Sequence, residues 1–223
     1  MTTPLKIDFV SDVSCPWCVI GLKALEQAVD RLGDTVAVEI IFQPFELNPH
    51  MPPGGQDLVE HLAEKYGFTA AQSEQNRAAI RARGEAVDFS FRMDRLKRIY
   101  NTFDTHRLLH WAALEGRQTA LKHALFVAYF TAGEDPSDHD VLMRLAGKVG
   151  LDTAGARALL SSDRYATEVR QREQFYQRQG IHAVPAVIIN ERHLIEGGQP
   201  VAVFEKALRE IAAESSMGGS NNP

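Results

Sequence analysis

"SCPWCVIG", residues 14–21, holds both cysteines of the 223-residue chain, with Pro16 and Trp17 between them. Ahead of it, "LKIDFV" (residues 5–10) alternates in polarity and is rich in β-forming residues, which predicts a strand. Behind it, Val19, Leu22, Leu25, Ala28, Val29 and Leu32 recur at helical spacing up to Gly33, a stop signal, so Pro16 to Leu32 reads as a helix. "TVAVEIIFQPF" (residues 35–45) reads as a second strand. The chain opens β-α-β, and the cysteine pair sits where the first strand hands over to the first helix.

Composition bounds what such a chain can do. With 44% hydrophobic and 24% charged residues it can bury an ordinary core, as one domain or as a domain with a large insertion. A net charge of −5 and the lack of a long basic stripe oppose binding to nucleic acid or anionic lipid. "MTTPLKIDFVSDVSC" shows no basic head followed by an apolar stretch and cleavage site, and no apolar run reaches membrane-spanning length. A cytoplasmic protein without membrane contact is expected. Two cysteines this close would close a very short loop and remove little entropy from the unfolded chain, so a structural staple explains them poorly.

After a Pro- and Gly-rich loop, "ELNPHMPPGGQ" (residues 46–56), the pattern turns helical for more than a hundred residues. Five or six helices are expected. Thr69 to Gln72 matches a capping box, Asn101 or Thr102 can start "FDTHRLLHWAALEG", Ser137 to Asp140 starts "VLMRLAGKVG", and Asp152 can cap "TAGARALL". Strand signals return at "AVPAVIIN" (residues 183–190), followed by a turn at Glu191-Arg192 and a strand, "HLIEGG". A last helix runs from about Pro200 to Glu214, with Val203, Phe204, Ala207, Leu208 and Ile211 on one face. The order β-α-β, helical block, β-β-α predicts an α/β fold: a small sheet flanked by two helices, with the extra helices over one edge of the site. Residues 1–45 and 181–214 would form the sheet domain, 46–180 the helical insertion and 215–223 a flexible tail.

Cys15 falls at the N-cap of the first helix, with Pro16 where a missing N–H costs nothing. From there its side chain would face the free N–H groups of Trp17 and Cys18 and the positive end of the helix dipole, both of which favour a thiolate. Residues three apart on a helix are neighbours at about 5–6 Å, within disulfide span. Cys18 can therefore resolve a mixed disulfide formed on Cys15. Two blander readings stay open. Zinc needs four ligands, yet there is no second C-x-x-C and the nearest histidine in sequence is His50; a pair of inert core cysteines is also possible. In "GIHAVPAVIIN", Pro185 opens an apolar strand, and the residues alone favour a trans bond.

Taken together, "FVSDVSCPWCVIG", "FQPFELNP", "NTFDTHRLLHWA" and "GIHAVPAVIIN" resemble the DsbA family of thioredoxin-fold oxidoreductases. Within it they resemble the cytoplasmic FrnE-like branch, which is related to 2-hydroxychromene-2-carboxylate isomerases and kappa-class glutathione transferases. The likeness spans roughly residues 5–212. It implies a thioredoxin-like fold with a large all-helical insertion, and Cys15 as exposed nucleophile with Cys18 as resolving thiol. It also implies a cis Pro185 facing them, so that Pro16, Trp17 and Val184 line the substrate path, Val184 offering its backbone to an extended substrate. The isomerase and transferase branches carry serine where Cys15 stands, so dithiol exchange is the better reading; a glutathione-dependent isomerase or transferase is the alternative. DsbA has histidine where Trp17 stands, which implies a less acidic Cys15 and a less oxidising couple here. No tightly bound cofactor is implied beyond the Cys15-Cys18 disulfide, with glutathione as a possible co-substrate. The partners would be a protein or small molecule bearing a disulfide or dithiol, and a reductant such as glutathione or thioredoxin.

Other residues are weaker candidates. In thioredoxin-like proteins a buried acid relays protons to the resolving cysteine; Asp8 is one residue further from Cys15 than that pattern expects, and Asp12 is closer, but a solvated or structural role is favoured for both. Asn101 and His106 resemble a site-facing segment of the isomerase branch. His106 and His110 have metal-ligand spacing without a completing glutamate, so no metal site is expected. Arg92, Arg95, Lys97 and Arg98 form a local basic cluster that reads as a solvated helix face rather than an anion site, and Phe45, Leu47 and Trp111 as an apolar wall or core.

Overall fold

In the computed structural model, residues 5–218 are described. β1 (Leu5–Ser11), α1 (Pro16–Leu32) and β2 (Val38–Pro44) form the opening β-α-β unit. A short pair, β3 (Gln56–Asp57) and β4 (Arg98–Ile99), brackets α2 (Leu58–Tyr66) and α3 (Ala70–Glu85). Then come α4 (Phe103–Leu114), α5 (Gln118–Phe126), α6 (His139–Lys148), α7 (Thr153–Leu160) and α8 (Ala166–Arg178), and the chain closes with β5 (Ala186–Ile189), β6 (His193–Glu196) and α9 (Val201–Gly218). The principal sheet has the order β2-β1-β5-β6, with β1 parallel to β2 and antiparallel to β5. No described helix is long and apolar enough to cross a membrane.

This topology brings two distant segments together. Val10 pairs with Ala186 across the β1–β5 ladder, so the C-terminal end of β1 and the start of β5 lie at the same end of the sheet. The chain leaves β1 toward Cys15 at the end where Pro185 enters β5. β1 is flanked by a strand on each side, and of its residues only Lys6 is exposed; even Asp8 is buried. The alternation expected for this strand is therefore masked by cover on both faces.

On one face α1 packs against α9, where Leu22, Leu25, Phe204 and Leu208 are fully buried. Each such side chain contributes about 1.5–3 kcal/mol on leaving water, which explains why the last helix docks here. On the other face Tyr176 of α8 joins Val10 and Ala186 in a smaller cluster, and α5 lies along the free edge of β2, where the Gln118 side chain exchanges hydrogen bonds with the Phe42 backbone.

The helical stretch divides into seven α-helices among the described residues rather than five or six. Gly67 (φ 68°) and Gly116 (φ 66°) adopt left-handed backbone at the ends of α2 and α4 and cut the pattern more finely than its periodicity suggested. The caps follow the sequence: Thr69 and Gln72 form the reciprocal capping box, and the Asp152 carboxylate accepts from the N–H groups of Ala154 and Gly155. Asp138 rather than Ser137 caps α6.

The insertion does not stand apart from the sheet. Leu58, Ile80, Met93, Ile99 and Phe130 belong to the same apolar cluster as Ile7, Phe9 and α1, whereas Leu108, Leu121, Leu142 and Leu159 gather in a second cluster of their own. A turn of 3₁₀ helix over Gly33–Thr35 delays β2 to Val38, and the segment before Ala186 stays out of the sheet. α9 continues past Glu214 to Gly218; the rest of the expected tail, residues 219–223, lies outside the described residues.

Candidate active site

Cys15 is the N-cap of α1, with extended backbone (φ −94°, ψ 113°) and Pro16 in the first turn, as the sequence predicts. Its side chain makes no capping hydrogen bond. The reason is local: the Cys18 N–H donates to the backbone oxygen of Cys15 at 3.1 Å, and the Cys15 Sγ instead donates to the carbonyl oxygen of Val184 at 3.6 Å. Only 4% of Cys15 is exposed, so the residue is nearly covered and the expected exposed nucleophile is corrected to a largely buried one. Both cysteines are free thiols.

Cys18 lies one turn further, fully buried. Burial pushes its thiol well above the usual range, and the adjacent Cys15 pushes in the same direction through a hydrogen bond and its charge. Lys122 opposes them. This lysine of α5 is 1% exposed, lies 4.9 Å from the Phe126 ring centroid and 5.8 Å from that of Phe42, and has no ion pair among the described residues. Burial lowers it to about 8, against the pull of Cys18, Asp12 and Cys15.

The residues just before Cys15 are held by Asp12. Its Oδ1 accepts from the Ser14 N–H at 3.2 Å and its Oδ2 from the Leu47 N–H at 2.7 Å, tying the strand-to-helix turn to the segment after β2. His106 Nε2 stands 3.6 Å from Asp12 Oδ1 and 3.1 Å from the Phe45 carbonyl oxygen. With an acceptor on each side, Nε2 carries the ring proton. Burial alone would raise the Asp12 carboxyl, but His106 and the two backbone N–H groups hold it below the usual carboxylate range.

The Val184-Pro185 bond is cis, as the resemblance implies and contrary to the reading from the residues alone. α1 packs tightly against this segment. A Cβ at Gly21 would stand 3.1 Å from Pro185 Cγ and 3.4 Å from the Gly198 Cα, and one at Gly198 would meet the Trp17 carbonyl oxygen at 3.0 Å. The Trp17 ring, half-buried, lies 5.7 Å from the Arg83 guanidinium carbon, whose Nη2 donates to the Gly198 carbonyl oxygen. The motif thus has a cation beside it, supplied from α3 rather than from within the C-x-x-C.

The remaining sequence candidates fall in different places. Asn101 precedes the N-cap Thr102 of α4, its Oδ1 accepting from the Phe103 N–H at 2.9 Å, and His106 is locked inside against Asp12 and Phe45; neither lines the pocket walled by Ser14 and Pro16. Asp8 and Asp12 are buried rather than solvated, with Asp8 accepting from the Gln43 side chain at 2.6 Å. His110 packs on Tyr165 with ring centroids 4.9 Å apart. Arg92 is held by Asp94, and Arg98 by the carbonyl oxygens of Gly54 and Gly55. Phe45 and Trp111 belong to separate apolar clusters, so they do not form a common wall. Lys122, Gly21 and Arg83 were not anticipated. The signal for Lys122 was present, since Leu121, Lys122, Leu125 and Phe126 share the buried face of α5.

Comparison with known proteins agrees with this architecture. The family model described as a DSBA-like thioredoxin domain matches residues 6–209. The uncharacterized protein YwbO of Bacillus subtilis (strain 168) is 29% identical over 211 residues, covering 94% of this chain and 98% of its own. A crystal structure of a probable DsbA oxidoreductase from Streptomyces coelicolor superposes with a TM-score of 0.86 at 31% identity, covering 98% of this chain and 92% of its own. The cytosolic disulfide reductase DsbM from Pseudomonas aeruginosa, in a structure with GSH, shares the fold with a TM-score of 0.61 at 18% identity, covering 92% and 99%.

Proposed function

Because the chain belongs to the DSBA-like thioredoxin domain family, we propose that it exchanges thiols and disulfides through Cys15 and Cys18. The observation that carries this reading is the meeting of Cys15 Sγ with the Val184 carbonyl oxygen at 3.6 Å, with the buried Cys18 one turn further along α1. An extended substrate that pairs with the Val184 backbone would bring its own sulfur to the place where the Cys15 thiol now finds its acceptor.

In the reducing direction, the Cys15 thiolate attacks one sulfur of a substrate disulfide, forming a mixed disulfide and releasing the other sulfur as a thiolate. Cys18 then loses its proton and attacks Cys15 Sγ; the Cys15-Cys18 bond forms and the second substrate thiolate leaves. Two electrons pass from the dithiol to the substrate, and the two protons given up by the cysteines balance those taken up by the released thiolates. The buried, protonated Cys18 keeps the second step waiting until a mixed disulfide exists, and Lys122 is the nearby charge that favours its ionisation.

We place this cycle in the cytoplasm, with glutathione or thioredoxin returning the disulfide to the dithiol. The likeness in fold to a protein named a cytosolic disulfide reductase, recorded with GSH, is in keeping with that setting. Thiol titration before and after oxidation should show the loss of two thiols per chain, and Cys18→Ala should accumulate a mixed disulfide on Cys15 detectable by intact mass. A pair that never oxidises would overturn the reading.

A further inference from the structure

A pocket of about 110 Å³, roofed by α2 and α3, has Ser14 and Pro16 in its wall, with Cys15 itself outside the lining. These two residues flank Cys15 in the chain. Tyr66, on the same wall, has its phenol raised by partial burial and by the charge of Cys15, which puts the pocket within electrostatic reach of the sulfur. Most of the lining is apolar, Ile80 and Met93 among it.

Two polar groups of this wall lack partners. The Ser14 hydroxyl is buried without a hydrogen bond, in a residue only 5% exposed, and the Arg77 Nε is buried without an acceptor. No carboxylate lines the pocket, and Arg77 has no ion pair among the described residues. An arginine that lines a pocket holding no carboxylate, and that has no such ion pair of its own, has as its natural complement a negatively charged acceptor brought in by a ligand.

We infer that this pocket takes the body of a small apolar thiol or disulfide bearing a carboxylate, with Arg77 and Ser14 holding the acid and Cys15 receiving the sulfur. The inference rests on the redox reading above and adds the substrate class to it. A small molecule fits better than a protein substrate, because the space is a recess of only about 110 Å³ between the start of α1 and the helices α2 and α3, whereas a polypeptide would run along Val184.

Two aromatic disulfides make the test: 5,5′-dithiobis(2-nitrobenzoate), with a carboxylate on each ring, and the neutral 4,4′-dithiodipyridine. The rate of reaction of each with the reduced full-length protein is followed by the released thiol. Arg77→Met should lower the ratio of the carboxylate-probe rate to the neutral-probe rate by about tenfold or more, since a charge-assisted hydrogen bond is lost from one reaction only. Arg77→Lys should restore part of it and Ser14→Ala should lower it less. Arg81→Met, on the exposed side of α3 where Arg81 pairs with Glu74, removes the same charge without touching the pocket and should leave the ratio within twofold. An unchanged ratio in Arg77→Met, or an equal fall in Arg81→Met, overturns the inference while leaving the redox reading in place. Failure of the wild-type protein to reduce either probe overturns the redox reading itself.

Discussion

The Cys15 sulfur and the Val184 carbonyl oxygen, 169 residues apart in the chain, stand 3.6 Å apart beyond the same end of the two central strands. The antiparallel β1–β5 ladder puts them there, and the contact occupies the single donor of the Cys15 thiol. Cys18, by contrast, faces inward with no exposed surface.

From this asymmetry the two thiols should react in sequence. In the reduced protein at neutral pH, iodoacetamide should modify Cys15 first and Cys18 much more slowly, because burial and the neighbouring Cys15 keep Cys18 protonated. Peptide mapping after timed quenching reads the order. Equal rates, or faster labelling of Cys18, would contradict it.

Asp12 is expected to matter for stability rather than for electron transfer. In Asp12→Asn one of the two side-chain acceptors becomes an NH₂ group facing the N–H of Ser14 or Leu47, a donor against a donor. The loss should be about 1–3 kcal/mol, read by urea unfolding. The wild-type carboxyl is depressed below 3.8 in the folded chain, so its contribution is present above that pH and is lost as pH falls through the folded value. The gap between wild type and variant should therefore narrow in acid; a gap that widens would be inconsistent with it.

The fold and the place of the two cysteines at the start of α1 were legible because each rests on local chemistry: a strand, Cys-Pro at a helix start, a Val-Pro ahead of a later strand. What the residues could not reveal depends on chain crossings. The Cys15 thiol could be placed at an N-cap from sequence, but not turned away from the helix amides, since its acceptor comes from Val184. His106 resembled a site-facing residue, yet its partners are Phe45 and Asp12, met only once α4 lies against the end of β2. Gly21 carries no local signal because it is an ordinary helix interior position whose constraint comes from Pro185 and Gly198.

Gly21 supplies the third prediction. Alanine there adds helix propensity of up to about 1 kcal/mol but sets its Cβ 3.1 Å from Pro185 Cγ, so the two effects should nearly cancel. Valine adds two methyl groups with nowhere to go and should cost about 1–3 kcal/mol while pushing the Val184–Pro185 segment away from Cys15. Thermal unfolding and reduction of a neutral aromatic disulfide should both suffer in Gly21→Val. Full stability and activity in that variant would show that the packing is not tight.

Lys122 makes the sharpest use of pH. A lysine buried between Phe42 and Phe126 has its pKa lowered from 10.5 to about 8, so the native state binds fewer protons than the unfolded chain between those values. Stability from this group therefore rises as pH climbs from about 8 toward 10.5, and below 8 the buried charge costs about 3 kcal/mol. Methionine, similar in length and uncharged, removes that cost. Lys122→Met should accordingly be more stable than wild type at neutral pH, with the difference shrinking as pH rises through this window. The same substitution takes away the buried lysine whose charge favours an ionised Cys18. In a Cys15→Ser background its alkylation midpoint should move to higher pH, and with both cysteines present the mixed disulfide should persist longer before Cys18 resolves it. A stability gain without any change in Cys18 titration would make Lys122 a packing residue alone; both changes together would mark it as a buried charge kept at a cost for the resolving thiol.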